Sequence, residues 1–255
     1  FFFKQKTAYE ILTCDWSSDV CSSDLTRWRL RTAVDQEKDQ TYFLHGLDSD
    51  AIARARFPIG GLTKAEVREA ARTRRLPTAD KPESQEICFV PDGDYRTLLR
   101  ARGWAPQAGE IVDEEGTVVG VHGGSAGFTV GQRRGLSVSA ARPRYVSAVD
   151  PQTNRITIGR RETLERRVIE LSDAASPSGE LPAGAILEGR ARIRHRGELA
   201  EGRLVSRGGG AATLELREPL WAPSPGQTVV LYQGETLVAG GRIAAPVSTA
   251  VSSNA

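Results

Sequence analysis

Cys88 has the greatest chemical reach in this sequence. A thiolate is both a nucleophile and a carrier of sulfur, and a nearby cation favours its formation. The residue follows the polar stretch Asp80-Lys81-Pro82-Glu83-Ser84-Gln85-Glu86, where Lys81 could supply that cation while Glu83 and Glu86 oppose it. Flanked by Ile87 and Phe89, it suits a buried core position equally well in kind, and residue types alone favour the core. A second feature is the alternation Arg190, Arg192, Arg194, Arg196, with Ala191, Ile193 and His195 on the opposite parity. On a strand, residues of one parity face one side about 6.6 Å apart. A row of planar guanidinium forks suits a phosphate backbone. Pairing across strands with Glu198, Glu201, Glu215 or Glu218 would use the same row structurally, and both readings stand. His195, on the apolar side, is either a half-buried structural residue or a contact. Arg133 and Arg134 lie between Gly131 and Gly135, the pattern of a tight exposed turn. Lys38-Asp39-Gln40 is polar and loop-like and says little by composition alone.

Some chemistries lack their signatures. There is no Walker loop, no GxGxxG before a helix and no CxxC. Three scattered histidines and one thiol outside the first 25 residues make no recognisable metal site.

The elements that would position these residues follow from periodicity. Residues 26–45 read as two short strands around the polar turn 34–40. Residues 46–103 read as mainly helical. Thr63 and Glu66 have capping-box spacing, with Leu62 and Val67 placed as a staple, so a helix is expected from there to about Arg74. Ile87–Val90 is expected as a short strand. A helix bearing Tyr95, Leu98 and Leu99 should stop at Gly103. From residue 104 short apolar runs alternate with glycine-rich turns, predicting strands near 110–112, 118–121, 128–130, 145–149 and 155–158. Residues 173–184 read as a linker or long loop. Further strands at 191–196, 203–206, 212–217, 228–232 and 236–243 predict a second β module, a small barrel.

Composition sets the bounds. The chain has 255 residues, 39% hydrophobic and 26% charged, with a net charge of +2, ordinary for a globular protein. No apolar run approaches the roughly 20 residues of a membrane helix. The sequence contains no methionine. Residues 1–25 hold Lys4 and Lys6 but no arginine, whereas residues 26–255 hold three lysines and 29 arginines. The first stretch also carries Cys14, Cys21 and the near-repeat Ser17-Ser18-Asp19 and Ser22-Ser23-Asp24. It resembles a translated sequencing adapter and is expected to be an artefact; a genuine N-terminal extension is the alternative. Without it the charge is +4 and Cys88 is the single cysteine, usage that fits a reducing compartment.

Five segments in order resemble the tRNA-specific 2-thiouridylases over about residues 27–245. They are Lys38-Asp39-Gln40-Thr41-Tyr42-Phe43-Leu44, Phe57–Lys64, Asp80–Phe89, Phe128–Leu136 and Ser224–Val230. The resemblance implies an α+β multidomain chain. Residues 26–103 would be the C-terminal part of an α/β PP-loop ATP-pyrophosphatase domain, 104–170 a small central β domain, 171–245 a C-terminal β-barrel and 246–255 a disordered tail. The family's Ser-Gly-Gly-Val-Asp-Ser loop, its first catalytic cysteine and the aspartate near it are not in the sequence. The chain is therefore expected to be N-terminally truncated, without ATP-binding residues and inactive alone, though its barrel could still hold tRNA.

By the same resemblance, ATP adenylates the wobble uridine at C2 and a cysteine persulfide then delivers sulfur, the first cysteine releasing it by forming a disulfide with the second. Cys88 matches the second, persulfide-bearing cysteine, which reverses the core reading. Lys38, Asp39 and Gln40 match one tRNA-contacting motif; Arg194, His195 and Gln227 match barrel positions that touch tRNA. Arg190, Arg192, Arg196, Arg133 and Arg134 are added as backbone contacts on charge. The implied cofactor is ATP. The implied partners are tRNA and a sulfur-carrier protein or cysteine desulfurase, for a cytoplasmic, non-membrane monomer. A non-enzymatic RNA-binding β-barrel module would explain the arginines but leave the Cys88 segment unused. A thiol redox protein would need a partner cysteine near Cys88, and none exists outside residues 1–25.

Overall fold

Thr63 begins a helix for the reason its spacing predicts. In the computed structural model, which describes residues 28–82, 95–103 and 105–245, Glu66 N donates to Thr63 Oγ1 and Thr63 N donates to Glu66 Oε2 at 2.6 Å. This reciprocal cap opens α2, Lys64–Thr73, preceded by α1, Ser49–Arg54, and followed by α3, Tyr95–Ala101. Asp48 caps α1 by accepting from Ala51 N at 2.7 Å. Val67 is the buried residue of α2, while Leu62 stays 38% exposed.

The two strands expected within 26–45 do not form. Among the described residues, 28–45 hold only an isolated bridge, Arg31 with Thr236, and a 3-10 turn, Thr41–Leu44. The cause is local. Asp39 accepts from the Thr41 amide and hydroxyl, which curls the chain before an extended ladder can start. The expected strand around Cys88 lies outside the described residues.

The chain divides into two compact units. One comprises described residues between 81 and 166 together with 220–224. Its strands are β1 (Gly109–Val112), β2 (Val118–His122), β3 (Tyr145–Asp150) and β4 (Arg155–Gly159), in the order β2-β1-β4-β3. β1 runs parallel to β4; the other pairs are antiparallel. Ile111, Leu136, Val146, Ile156 and Ile158 form the core, with Phe128, Val138 and Val149 against it. The expected strand at 128–130 is absent, because Gln132 N donates to Thr129 O and closes a turn there.

The other unit joins residues 28–80 to 167–219 and 225–245. The contacts thus divide the stretch 26–103 near Asp80. Its strands are β5 (Glu165–Ser176), β6 (Gly179–Glu180), β7 (Ile186–Arg192), β8 (Ala200–Gly208), β9 (Ala211–Trp221), β10 (Thr228–Gln233) and β11 (Thr236–Ile243). The order β11-β10-β7-β8-β9-β5, closed by pairing of β11 with β5, makes a six-stranded barrel, with β6 beyond β5. The linker expected over 173–184 is instead the β5–β6 hairpin, anchored by buried Ala174 and Leu181. Gly189 and Gly202 are register partners across β7 and β8. A Cβ on Gly189 would lie 2.3 Å from Tyr232 O, so only glycine lets β10 approach that closely.

Residues 28–57 do not fold apart from this barrel. Leu30, Tyr42 and Ile52 share one core with Val230, Tyr232 and Leu237, and Trp28, Leu44, Leu47, Phe57 and Leu199 pack on it. Each such buried side chain contributes about 1.5–3 kcal/mol, so the shared core is what fixes the loop 34–40.

Candidate nucleic-acid interface

Asp39 is the pivot of the loop. It is 2% exposed, and its carboxylate is held on several sides. Ala33 N and Thr41 N donate to Oδ1 at 3.2 and 3.3 Å, and Thr41 Oγ1 donates to Oδ2 at 2.7 Å. Arg192 lies 3.7 Å from Oδ2 with its side chain only 12% exposed. Thr41 Oγ1 is also 3.0 Å from Tyr232 Oη. Because the threonine proton goes to Asp39, the tyrosine is the donor in that contact. Burial, and secondarily the Asp39 charge, outweigh the Thr41 hydrogen bond and push the Tyr232 phenol up to about 12, so it keeps the proton it donates. The Arg192 guanidinium sits 5.8 Å from the Tyr232 ring centroid.

Tyr42 fastens the loop to two barrel segments. Its hydroxyl points at Thr228 O at 2.9 Å and Ile193 O at 3.3 Å. Burial raises its pKa, so it too remains a donor. Thr228 follows Gln227, and Ile193 precedes Arg194 and His195. One phenol therefore gathers three of the expected tRNA-contacting segments: Lys38–Gln40, Arg194–His195 and the position of Gln227. Gln40 and Gln227 are half-buried, their carbonyls accepting from Phe43 N at 3.0 Å and Ile243 N at 2.8 Å. Lys38 is also half-buried, its amide donating to Asp35 O at 3.0 Å. The Asp39 carboxylate faces inward, toward the amides and hydroxyl that donate to it and the Arg192 guanidinium.

His195 packs on Phe43, with ring centroids 4.6 Å apart, and lies 6.1 Å from Tyr42. Burial first, then the charges of Arg196 and Arg192, lower its pKa and keep the imidazole neutral near pH 7. Burial likewise lowers the pKa of Arg194, though a guanidinium stays charged.

The row of four arginines is not a strand face. β7 ends at Arg192, and residues 193–197 turn, with Gly197 N donating to Arg194 O at 2.9 Å and Arg196 at φ 60°. Arg190 and Arg192 share the strand; Arg194 and Arg196 belong to the turn. The break follows from Gly197 and the left-handed Arg196, which extended pairing does not accommodate. Three of the four glutamates named as cross-strand partners pair with other arginines. Glu201 pairs with Arg217 at 2.8 Å, Glu215 with Arg203 at 2.7 Å and Glu218 with Arg167 at 3.4 Å. Arg190 and Arg196 are exposed, whereas Arg192 faces Asp39.

Arg133 and Arg134 belong to the other unit. Both are exposed on the expected turn, with Gly131 at φ 88° and Gly135 at φ 77°. Gln132 braces it, its Nε2 donating to Arg134 O at 2.9 Å. A Cβ on Gly131 would meet the Trp221 ring at 3.0 Å, and Trp221 is packed in turn by Tyr145 and by Arg161, 5.1 Å from its ring.

Cys88 lies outside the described residues. Among the described residues no cluster of histidine, cysteine and carboxylates is arranged to hold a metal, and no helix is long and apolar enough to cross a membrane. In the glycine run 208–210, Gly209 N donates to the Glu180 carboxylate at 2.7 Å, and Gly210 packs against the Asp173 backbone.

Residue types and spacing did not single out Tyr42, Phe43 or Tyr232. The signal was present in Tyr42-Phe43, where one ring is 7% and the next 57% exposed, since adjacent aromatics in a tight turn cannot both point inward.

Comparison with known proteins gives a consistent assignment along the chain. Residues 5–92 match the tRNA methyl transferase HUP domain, 100–160 the tRNA methyl transferase PRC-barrel domain and 169–243 the aminomethyltransferase beta-barrel domain. A tRNA-specific 2-thiouridylase of Chloroflexus aggregans is 44% identical over 230 residues, 89% of this chain and 63% of that protein. One of Acidithiobacillus ferrooxidans is 45% identical over 82% of this chain and 60% of its own length. One of Herpetosiphon aurantiacus is 40% identical over 84% and 59%. The chain thus spans about three fifths of the length of the curated relatives it matches. With all three domain models in order and this identity along most of its length, the chain belongs to the tRNA-specific 2-thiouridylase family.

Proposed function

We propose that this chain is part of a tRNA-uridine 2-sulfurtransferase acting on the wobble uridine, in which residues 28–80 and the barrel hold the tRNA and Cys88 carries the sulfur as a persulfide. One observation supports the tRNA-holding part above others: the Tyr42 hydroxyl, shared between Ile193 O and Thr228 O, draws Lys38–Gln40, Arg194–His195 and Gln227 together. Amide, imidazole and guanidinium groups around an aromatic turn suit a single-stranded RNA loop, whose splayed bases and phosphates need stacking, hydrogen bonds and positive charge at once. Exposed Arg190 and Arg196 extend the cationic rim, and Arg133 and Arg134 add a second cationic element in their own unit. Asp39 and Arg192 keep the loop in place from beneath.

ATP as the activating cofactor, and a sulfur-carrier protein or cysteine desulfurase as the donor, belong to the same proposal as properties of a cytoplasmic, monomeric enzyme. No described residue is assigned to either. The test joins residues 26–245 to the N-terminal ATP-binding segment of a 2-thiouridylase relative and measures 2-thiouridine in tRNA by nucleoside mass spectrometry. Cys88→Ser should abolish the product and leave tRNA affinity nearly intact, because serine cannot hold a persulfide. Thiolation that survives this change removes Cys88 from the mechanism. If tRNA binds but no variant thiolates, the chain is an RNA-binding β-barrel module.

A further inference from the structure

Phe43 is exposed in a way its surroundings do not require. In the turn Thr41–Leu44, Thr41 and Tyr42 are 0% and 7% exposed, yet the Phe43 ring presents 57% of its surface. It is nevertheless held. Tyr42 meets it edge-on at 5.3 Å and 87°, and His195 backs it at 4.6 Å and 42°. The turn is closed by Phe43 N donating to Gln40 O. A ring fixed before binding gives up little conformational freedom when something lies on it. Its backing group is an imidazole, neutral near pH 7, whose Nδ1 is buried without a hydrogen-bond partner among the described residues.

A docking helix or strand would want a contiguous apolar patch. Here a single aromatic face stands among polar and cationic groups, with Gln40 below it in the turn and Arg194 and Arg196 flanking His195. An unpaired nucleobase wants that combination, a π-face to lie on and cations for the phosphates on either side.

We propose that the exposed face of Phe43, backed by His195, is a stacking platform for one unpaired base of the bound RNA loop. This rests on the tRNA-binding reading above and adds to it the residue that orients one base.

The test uses the 255-residue chain and a tRNA anticodon stem-loop carrying 2-aminopurine at one loop position at a time. Binding of the unsubstituted chain should quench the probe at a single position. Phe43→Leu should remove that quench and weaken affinity roughly tenfold, within the range that base–aromatic stacking spans. Phe43→Trp, which enlarges the π-face, should keep the quench and bind at least as tightly. This second variant keeps the test decisive if leucine disturbs the turn: loss of the quench in a folded tryptophan variant would overturn the platform. Phe43→Leu with quench and affinity unchanged would overturn it while leaving tRNA binding intact. A lower thermal midpoint with the RNA signal untouched would assign the ring to protein packing and also overturn it. If the unsubstituted chain binds neither stem-loop nor tRNA, the tRNA-binding reading fails and the platform falls with it.

Discussion

Replacing Asp39 with alanine isolates the interaction that seats the candidate interface. The substitution removes an acceptor serving Ala33 N, Thr41 N and Thr41 Oγ1 and strands the Arg192 guanidinium, whose side chain is 12% exposed. Breaking a buried charge pair from one side costs about 3–5 kcal/mol. The Arg192 contact is 3.7 Å, longer than a direct hydrogen bond, and the two amide contacts exceed 3.1 Å, so the lower end applies. We expect a loss of about 3 kcal/mol, and at about 3–4 °C per kcal/mol for a unit of this size a thermal midpoint roughly 10 °C lower. Asp39→Asn keeps the shape and one acceptor and should lose less. Asp39→Ala combined with Arg192→Met removes both charges and should recover at least about 1 kcal/mol relative to additivity. Because the chain has two compact units, urea titration should be followed by hydrogen exchange in peptides covering 28–57 and 228–243, which reports on the barrel unit alone. A loss below about 1 kcal/mol, the size of an exposed pair, would show that Asp39 does not anchor the loop.

Other outcomes follow from the same geometry. Gly131→Ala places a side chain at φ 88° against Trp221 and should cost about 1–3 kcal/mol, read as faster proteolysis at the Gly131–Gly135 turn; resistance equal to the parent would refute the packing. Arg190→Ala with Arg196→Ala should flatten the dependence of log affinity for tRNA on log salt by roughly 1–1.5 units at about 0.7 per phosphate, with the fold intact. Arg192→Ala should instead destabilise the barrel unit, and the reverse pattern would exchange the roles of these arginines. Burial lowers the pKa of His45 and His195, so between the unfolded value of about 6.5 and their lower folded values the unfolded chain binds more protons. Stability should therefore be fully present above about pH 7 and fall as the pH drops below 6.5, with His45→Gln flattening the decline. Glu66 and Asp150, whose pKa values hydrogen bonds lower, add their losses only below the ordinary carboxylate range of about 4.

What the sequence revealed depended on how local the cause was. The α2 cap was legible because Thr63 and Glu66 satisfy each other three residues apart. The turn at Gly131–Gly135 was legible because its glycines take positive φ. The barrel was legible as a series of alternating strands, and its closure between β11 and β5 was not, since no short-range pattern encodes which edges meet. The arginine alternation misled because parity says nothing about where a strand stops, and Gly197 weighed less than four matching side chains. The burial of Asp39 was not legible for the same reason: its partners Arg192 and, through Thr41, Tyr232 lie more than 150 positions away. The segments carrying Lys38–Gln40, Arg194–His195 and Gln227 meet at the Tyr42 hydroxyl, an arrangement that neither composition nor periodicity contains.

The pairing of residues 30–32 with 235–237 also constrains when this unit can mature. Leu237 N donates to Leu30 O and Thr32 N to Glu235 O, so the earliest described strand-like segment is completed by nearly the last. During synthesis Leu30, Tyr42 and Ile52 emerge long before Val230, Tyr232 and Leu237, the residues that cover them. Contacts of such sequence separation form slowly and leave apolar surface open meanwhile. The nascent chain should accordingly depend on chaperone holding until about residue 243 has left the ribosome, and a stop codon shortly before β10 should yield an aggregating product with the loop 38–40 unformed, even though every residue of that loop would be present.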